Sequence, residues 1–272
     1  MAVTTGPVYI ETPPTPAVPR YGLFTVATGP LDLPVHARNG GLQYQVATCE
    51  LPDGYAVACT PATKTFDAGP ATITGNPFVV LSTFTCGTVG MTEERARELV
   101  VARLKAGEQA AVEAIFSAQA NGQSPGLSNN AAVVTLAAAT TIPAAISALE
   151  DWLYSRYGLP GVIHAPASVG AWMMDHTQMI KDGQIWRTPL GTAVSFGNYA
   201  GTSAVGAAPA ANHEFLYITG QVAVWRTPDS EIFVSPYGQT INRSTNQMFM
   251  VAEREYVVTF DCFVATIDAT LA

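Results

Sequence analysis

The stretch Thr92–Asn121, TEERARELVVARLKAGEQAAVEAIFSAQAN, decides how the rest of this 272-residue chain is read. Apolar residues recur at Ala96, Leu99, Val100, Leu104, Ala111, Ile115 and Ala118, a one-sided stripe at helical spacing. Thr92 can accept from the first free amides of a helix, and Glu93 and Glu94 place negative charge at the positive end of its dipole. Asn121-Gly122 offers a left-handed stop. At about 1.5 Å per residue such a helix spans roughly 45 Å, well above the usual length. A narrow stripe on so long a helix predicts a strut lying across a sheet. Gly107, in its middle, is a weak point that permits bending or close packing.

Charged residues make up only 12% of the chain, about half of the ~25% usual in a soluble domain. A surface so poor in charge suits either a protein whose faces are covered by partners or a low-charge, β-rich protein such as a secreted one. The net charge is -8, and the only lysines are Lys64, Lys105 and Lys181. Phosphate-driven binding needs clustered Lys and Arg, so intimate nucleic-acid binding is disfavoured. The Ala-rich segment Ala131–Leu149 is interrupted by Thr140, Thr141 and Pro143, so no membrane span is expected, and no secretory signal is read at the N-terminus. The cysteines are Cys49, Cys59, Cys86 and Cys262, with no CxxC pair. Cys49 and Cys59 flank a turn at Pro52-Asp53-Gly54 and could face each other; reduced, buried thiols are the favoured reading.

Outward from the helix, residues 1–35 hold Pro7, Pro13, Pro14, Pro16, Pro19, Pro30 and Pro34, a density that opposes helix and predicts an extended arm. Val8, Tyr9, Ile10, Tyr21, Leu23, Phe24 and Val26 are too apolar for a solvated tail, so the arm should pack on something outside its own domain. Leu42–Thr48 and Tyr55–Thr60, around the Pro52 turn, read as a β-hairpin, and Phe78–Cys86 as a strand. After the long helix come a second helix (Ile142–Tyr157, closed by Gly158), a buried strand (Gly161–Ala165) and a short helix (Pro166–Met174). Short strands follow at Gln184–Arg187, Ala193–Phe196, Phe215–Ile218 and Gln221–Arg226, with a small-residue loop at Gly201–Asn212. Met248–Ile267 reads as one long extended element with Tyr256, Val258, Phe260, Cys262 and Val264 on one face.

Catalytic motifs are scarce. Gly201-Thr202-Ser203-Ala204-Val205-Gly206 misses the nucleophile-elbow spacing by one residue and reads as a surface loop. His164 lies on an apolar strand and reads as a hydrogen-bonded core residue rather than a base. Asp175-His176 and His213-Glu214 are chain neighbours that make no metal site by themselves. Glu93/Glu94 and Glu150/Asp151 read as solvated helix faces, and Trp152, Trp172, Trp186 and Trp225 as core or interface anchors. No phosphate loop, dinucleotide fingerprint or calcium loop is present.

The order of parts resembles the major capsid proteins of tailed phages, the Hong Kong 97-like fold. GVIHAPASVGAWMMDHTQMIKDGQIW, TPLGTAVSF, FLYITGQVAVWRTPDSEIFVS and TNQMFMVAEREYVVTFDCFVATI are similar, in order, to that family's axial and peripheral segments. The resemblance implies an α+β fold: an extended N-terminal arm (1–35), an extended β-hairpin loop with its return strand (36–86), a spine helix of the peripheral domain (87–130), an axial α/β domain (131–240) and C-terminal peripheral strands (241–272). It implies a non-enzymatic shell protein that associates with itself as hexamers and pentamers. It needs no cofactor or metal, encloses double-stranded DNA by non-specific contact, and resides in a virion capsid assembled in the host cytoplasm. Separate scaffolding, portal and decoration proteins are candidate partners; no membrane is involved. Assembly contacts are expected at Tyr9, Tyr21, Phe24, Tyr44, Tyr55, Lys64, Leu104 and Trp225. Lys64 lies in the loop that carries a crosslinking lysine in some members, but no partner Asn is identifiable, so no crosslink is expected. An encapsulin-like nanocompartment is the alternative; a hydrolase built on Ser203 or His164 is a further one.

Leu99, Leu104, Ile115 and Phe116 should then pack on the C-terminal strands, with the Glu/Arg face of the helix toward solvent or a neighbour. Leu104→Asp is expected to abolish folding or assembly, since an uncompensated buried charge costs about 3–5 kcal/mol. Unaltered particles in electron micrographs of that variant would show the helix to be misplaced.

Overall fold

The computed structural model describes residues 17, 20–53, 69–87, 91–176, 179–236, 241–242 and 244–271. The first elements are α1 (Leu23–Val26), β1 (Thr28–Asp32), α2 (Ala37–Gly40), β2 (Leu42–Val46), β3 (Ala71–Gly75) and β4 (Phe78–Gly87). The long helix α3 (Glu93–Ala118) follows, then β5 (Val134–Thr135), α4 (Ile142–Tyr157), β6 (Val162–Pro166) and α5 (Gly170–His176). The remaining strands are β7 (Ile180–Asp182), β8 (Ile185–Arg187), β9 (Ala193–Gly197), β10 (His213–Thr219), β11 (Val222–Arg226), β12 (Phe233–Val234), β13 (Ile241–Asn242), β14 (Gln247–Phe260) and β15 (Val264–Thr270).

Two sheets organise the chain. In the six-stranded sheet β14 is central: β4 runs antiparallel along one side, from Phe78 opposite Tyr256 to Gly87 opposite Gln247. Its other side is taken in turn by β11, β12 and β13, and β1 lies parallel outside β11. The seven-stranded sheet has the order β5-β15-β10-β6-β9-β8-β7. Helix α4 covers one of its faces, with Ile146, Leu149 and Leu153 against Ile163, Leu216 and Ile267. Its ends follow the sequence reading: Thr141 caps the start through its side chain, and Gly158 ends it in the left-handed region.

Helix α3 starts where expected, with the Thr92 hydroxyl accepting from the Arg95 amide, but ends at Ala118. Gln119 takes the left-handed cap (φ 51°), so the stop falls before Asn121-Gly122. Its buried row is Ala96, Val100, Leu104, Glu108, Val112 and Phe116, whereas Leu99, Ala111, Ile115 and Ala118 are only half-buried. An i+4 row drifts about 40° around a helix at each step. The early part of the row therefore faces β4 and β14, while Phe116 reaches His164 and Phe260 at the junction of the two sheets. The expectation that the Glu face meets solvent or a neighbour fails at Glu108 and Glu113, both buried.

Four further expectations are corrected. The hairpin partner of Leu42–Val46 is Ala71–Gly75, paired from Leu42 opposite Gly75 to Val46 opposite Ala71; Tyr55–Thr60 lie outside the described residues. Residues 20–35 pack on their own chain: Leu23 is fully buried in the main core and β1 pairs with β11. The Pro-free run there leaves room for one helical turn, α1, and Pro30 is tolerated because β1 is an edge strand with an irregular register. Met248–Ile267 is two strands in two sheets. Cys262, at φ 52°, turns the chain between β14 and β15 and breaks the alternation that placed it on the Tyr256 face. Consequently β15 joins the seven-stranded sheet, and β11 to β13 join the six-stranded one, so the sheets do not divide at residue 240.

Gly107 leaves α3 continuous, and a Cβ built there meets nothing within 4 Å. Gly107→Ala should therefore stabilise the unassembled subunit by about 1 kcal/mol, raising its melting temperature by roughly 2–4 °C in a calorimetric scan. A fall in melting temperature would mean that the helix backbone at this point is not the one described.

Candidate functional site: the hairpin root and the outward sheet face

Among the described residues, the hairpin β2–β3 meets the body at the end of β14 and, through Leu42, at Leu33 and Ala37. Tyr44, on β2, sets its ring 5.9 Å from Trp225 of β11. Its hydroxyl lies 3.0 Å from Thr259 Oγ1 and 3.3 Å from Asp261 Oδ1. A carboxylate only accepts, so Tyr44 donates to Asp261 and the Thr259 hydroxyl donates to Tyr44. Tyr157, from the end of α4, donates to the other oxygen of Asp261 at 3.4 Å. Burial pushes the Tyr44 hydroxyl up to about 12 and raises Asp261 above the usual carboxylate range. Gly75 completes the contact: a Cβ there would lie 2.3 Å from the Thr259 methyl and 2.7 Å from Val257, so only glycine lets β3 approach β14 so closely.

A covalent bond crosses the same place. Cys49, just beyond β2, forms a disulfide with Cys262, with 5.3 Å between the Cα atoms. This corrects the expectation of reduced thiols and the alternative pairing with Cys59, which lies outside the described residues. Nothing in the spacing could have revealed it, because the partners are 213 residues apart.

Of the residues expected at assembly contacts, Tyr44 and Trp225 meet at this root. Phe24 stacks on Tyr256 with centroids 6.2 Å apart, and Tyr21 sits 5.9 Å from Trp186. Leu104 is buried in the core. Tyr9, Tyr55 and Lys64 lie outside the described residues. Sequence reading missed a different set. On the six-stranded sheet, Met248, Met250, Ala252, Arg254 and Tyr256 turn toward α3, which leaves the odd-numbered positions outward. Val79 and Leu81 of β4, Phe233 of β12 and Phe249 of β14 are exposed on that side, Leu81 at 57% and Phe233 at 53%. Period-two alternation carried this signal, since these residues fall between the buried ones.

The residues considered for chemistry are engaged structurally. His164 is fully buried, with Nδ1 3.3 Å from the Tyr199 hydroxyl and Nε2 3.0 Å from that of Thr219. Burial lowers it to about 3 from an ordinary 6.5, which keeps the ring neutral. This agrees with the core reading of that residue. The Ser203 hydroxyl accepts from the Ala207 amide within its own loop. His213 pairs with Asp268 at 2.9 Å rather than with its chain neighbour. Glu150, expected in a solvated face, is buried and accepts from Thr188 Oγ1 at 2.5 Å, beside an open groove of about 830 Å³ between α4 and the loop at Pro189-Leu190.

No protein-family model matches the chain, and no curated protein matches it. Solved structures do. The capsid of a native GTA particle computed with C5 symmetry aligns over 98% of this chain and 96% of its own, at 11% identity and a TM-score of 0.62. A structure from Mycobacterium phage Ogopogo aligns over 99% and 97% at 15% identity, with a TM-score of 0.56. The holo-SrpI encapsulin complex from Synechococcus elongatus PCC 7942 aligns over 97% and 94% at 11% identity, with a TM-score of 0.54.

Because His164 is neutral when folded and titrates at its ordinary value when unfolded, its share of stability is complete above about pH 6.5 and is lost as pH falls toward 3. Between about pH 7 and pH 5 the wild-type subunit should lose roughly 2 kcal/mol more than His164→Gln, at about 1.4 kcal/mol per unit below the unfolded value. Parallel pH dependences of the two proteins in urea titrations would show that the ring is not sealed from protons.

At identities this low the likeness speaks for the fold alone, and over nearly its whole length the chain has the mixed α+β architecture of the Hong Kong 97-like capsid fold.

Proposed function

We propose that this chain is the major capsid protein of a tailed bacteriophage. It self-assembles as hexamers and pentamers into an icosahedral shell around double-stranded DNA. One observation carries the reading: a chain of the GTA particle capsid and a chain from a mycobacteriophage structure each align with this chain over nearly all of both lengths. Physical features support it. The chain is poor in charge, and the outward face of its larger-core sheet leaves Leu81, Phe233 and Phe249 uncovered. Clusters of that kind are costly on a free monomer and are covered when copies associate. The residues considered as nucleophile or base are absorbed into loop and core hydrogen bonds, which supports a structural rather than an enzymatic role.

In this reading Tyr21, Phe24, Tyr44 and Trp225 act in assembly indirectly, by holding the arm and hairpin at the angle from which they leave the subunit. Tyr9, Tyr55 and Lys64 would lie on those extensions. With a net charge of -8, DNA is retained by confinement and counterions rather than by tight contacts. Assembly takes place in the host cytoplasm, with scaffolding, portal and decoration proteins as separate chains. The encapsulin match favours a second reading, a shell that packages protein.

Negative-stain microscopy of the expressed chain should show hexamers, pentamers or closed shells. A monodisperse monomer at high concentration in every condition would overturn both readings. Shells purified from the native source should contain nuclease-protected DNA; a protein cargo in its place would select the nanocompartment.

A further inference from the structure

Three features converge on the corner between β14 and β15. Asp261 receives hydroxyls from Tyr44 of the hairpin and Tyr157 of α4. Cys262, next to it, occupies a positive-φ conformation that puts its sulfur against the hairpin. Gly75 admits the returning strand to van der Waals distance of Val257 and Thr259. The corner thus joins both sheets and the hairpin root. Both cysteines are only partly buried, and an opening of about 370 Å³ beside Cys49 is lined by Val46, Leu51 and Pro70. The opening gives a small solvent reagent a way to Cys49.

We infer that Cys49 and Cys262 are a redox modification site that locks the hairpin root to this corner. In a reducing compartment the two are thiols, and the root is held by the Tyr44 hydrogen bonds and apolar contacts alone. On exposure to a low-molecular-weight disulfide such as oxidised glutathione, one cysteine thiolate attacks that disulfide, forming a mixed disulfide and releasing one small thiol. The other cysteine then displaces the second small thiol. Two protein thiols lose two electrons and two protons; the reagent's S–S bond breaks as the protein's forms. The lock acts at one joint: among the described residues, β2 and β3 meet the body at the end of β14 and around Leu33 and Ala37. It is a property of the single chain and stands whether or not the chain forms a capsid.

The test uses the full chain, oxidised with glutathione disulfide or reduced with dithiothreitol. Peptide mapping of the oxidised protein should find Cys49 joined to Cys262. Amide exchange at Leu42–Val46 and Ala71–Gly75 should quicken at least tenfold relative to α4 on reduction. Cys262→Ser and Cys49→Ser should each behave as the reduced protein and be insensitive to dithiothreitol, while Cys86→Ser should respond as the wild type. A bond mapped to Cys59 or Cys86 would overturn the inference. So would thiols that remain free under the oxidant, or an exchange pattern that reduction leaves unchanged or alters equally in hairpin and helix.

Discussion

The position of the long helix depends on one buried ion cluster. Glu108 sits in the apolar row of α3, where a methylene would be expected, and faces the centre of the six-stranded sheet. One of its oxygens takes Arg226 Nη1 at 2.6 Å; the other takes Arg254 Nη1 at 3.0 Å and the Tyr256 hydroxyl at 2.5 Å. Arg254 is almost entirely buried, and its remaining nitrogens reach the Thr227 carbonyl and Asp229, which Lys105 also meets from α3. Hydrogen bonding from Lys105 and the charge of Arg254 hold Asp229 below the usual carboxylate range. Such a cluster adds little net stability, because desolvation offsets most of the attraction, but a shift of the helix by one turn would leave charges buried and unpaired. Its consequence is register: α3 can lie on β14 in one way only. Arg226 and Tyr256 are cross-strand partners, so the same cluster also fixes β11 against β14.

With the helix placed, the joint between the sheets follows. Beyond Phe260 the chain turns at Cys262 and enters the second sheet, and Phe116, near the end of α3, packs into the angle between them. Glu113 ties the start of the chain to this joint, accepting the Leu23 amide at 2.9 Å and the Asn198 amide at 2.8 Å. Burial raises its pKa and the two amides oppose that shift. Arm, helix and both sheets are thus referenced to one rigid region.

Much of the architecture was legible in the sequence. The long helix, the boundaries of α4, β4 and the short strands of the α/β lobe all carried local periodicity and capping signals at Thr92, Thr141 and Gly158. The family likeness read from their order agrees with the structural neighbours. The candidate site was legible only in part. Tyr44 and Trp225 stood out as aromatics in strand-like segments, but nothing local said that they touch each other. Leu81 and Phe249 fell in segments read as strands and Phe233 in none, and which face of a strand stays uncovered depends on where the helix lies.

What the sequence by itself determined is therefore what short-range periodicity encodes: which segments are helix or strand, where most of them stop, and in what order they come. Only the tertiary structure decided the rest. Glu108 and Glu113 became core residues because partners from distant strands and from the start of the chain satisfy them. Ala71–Gly75 pairs with Leu42–Val46, and Gly75 lets that strand lie close against Val257 and Thr259. One apparent strand became two because Cys262 turns the chain into another sheet, where β10 and β5 supply its hydrogen bonds. Each of these outcomes rests on contacts between residues far apart in the chain, and alternation along a single segment holds no record of what will lie across from it.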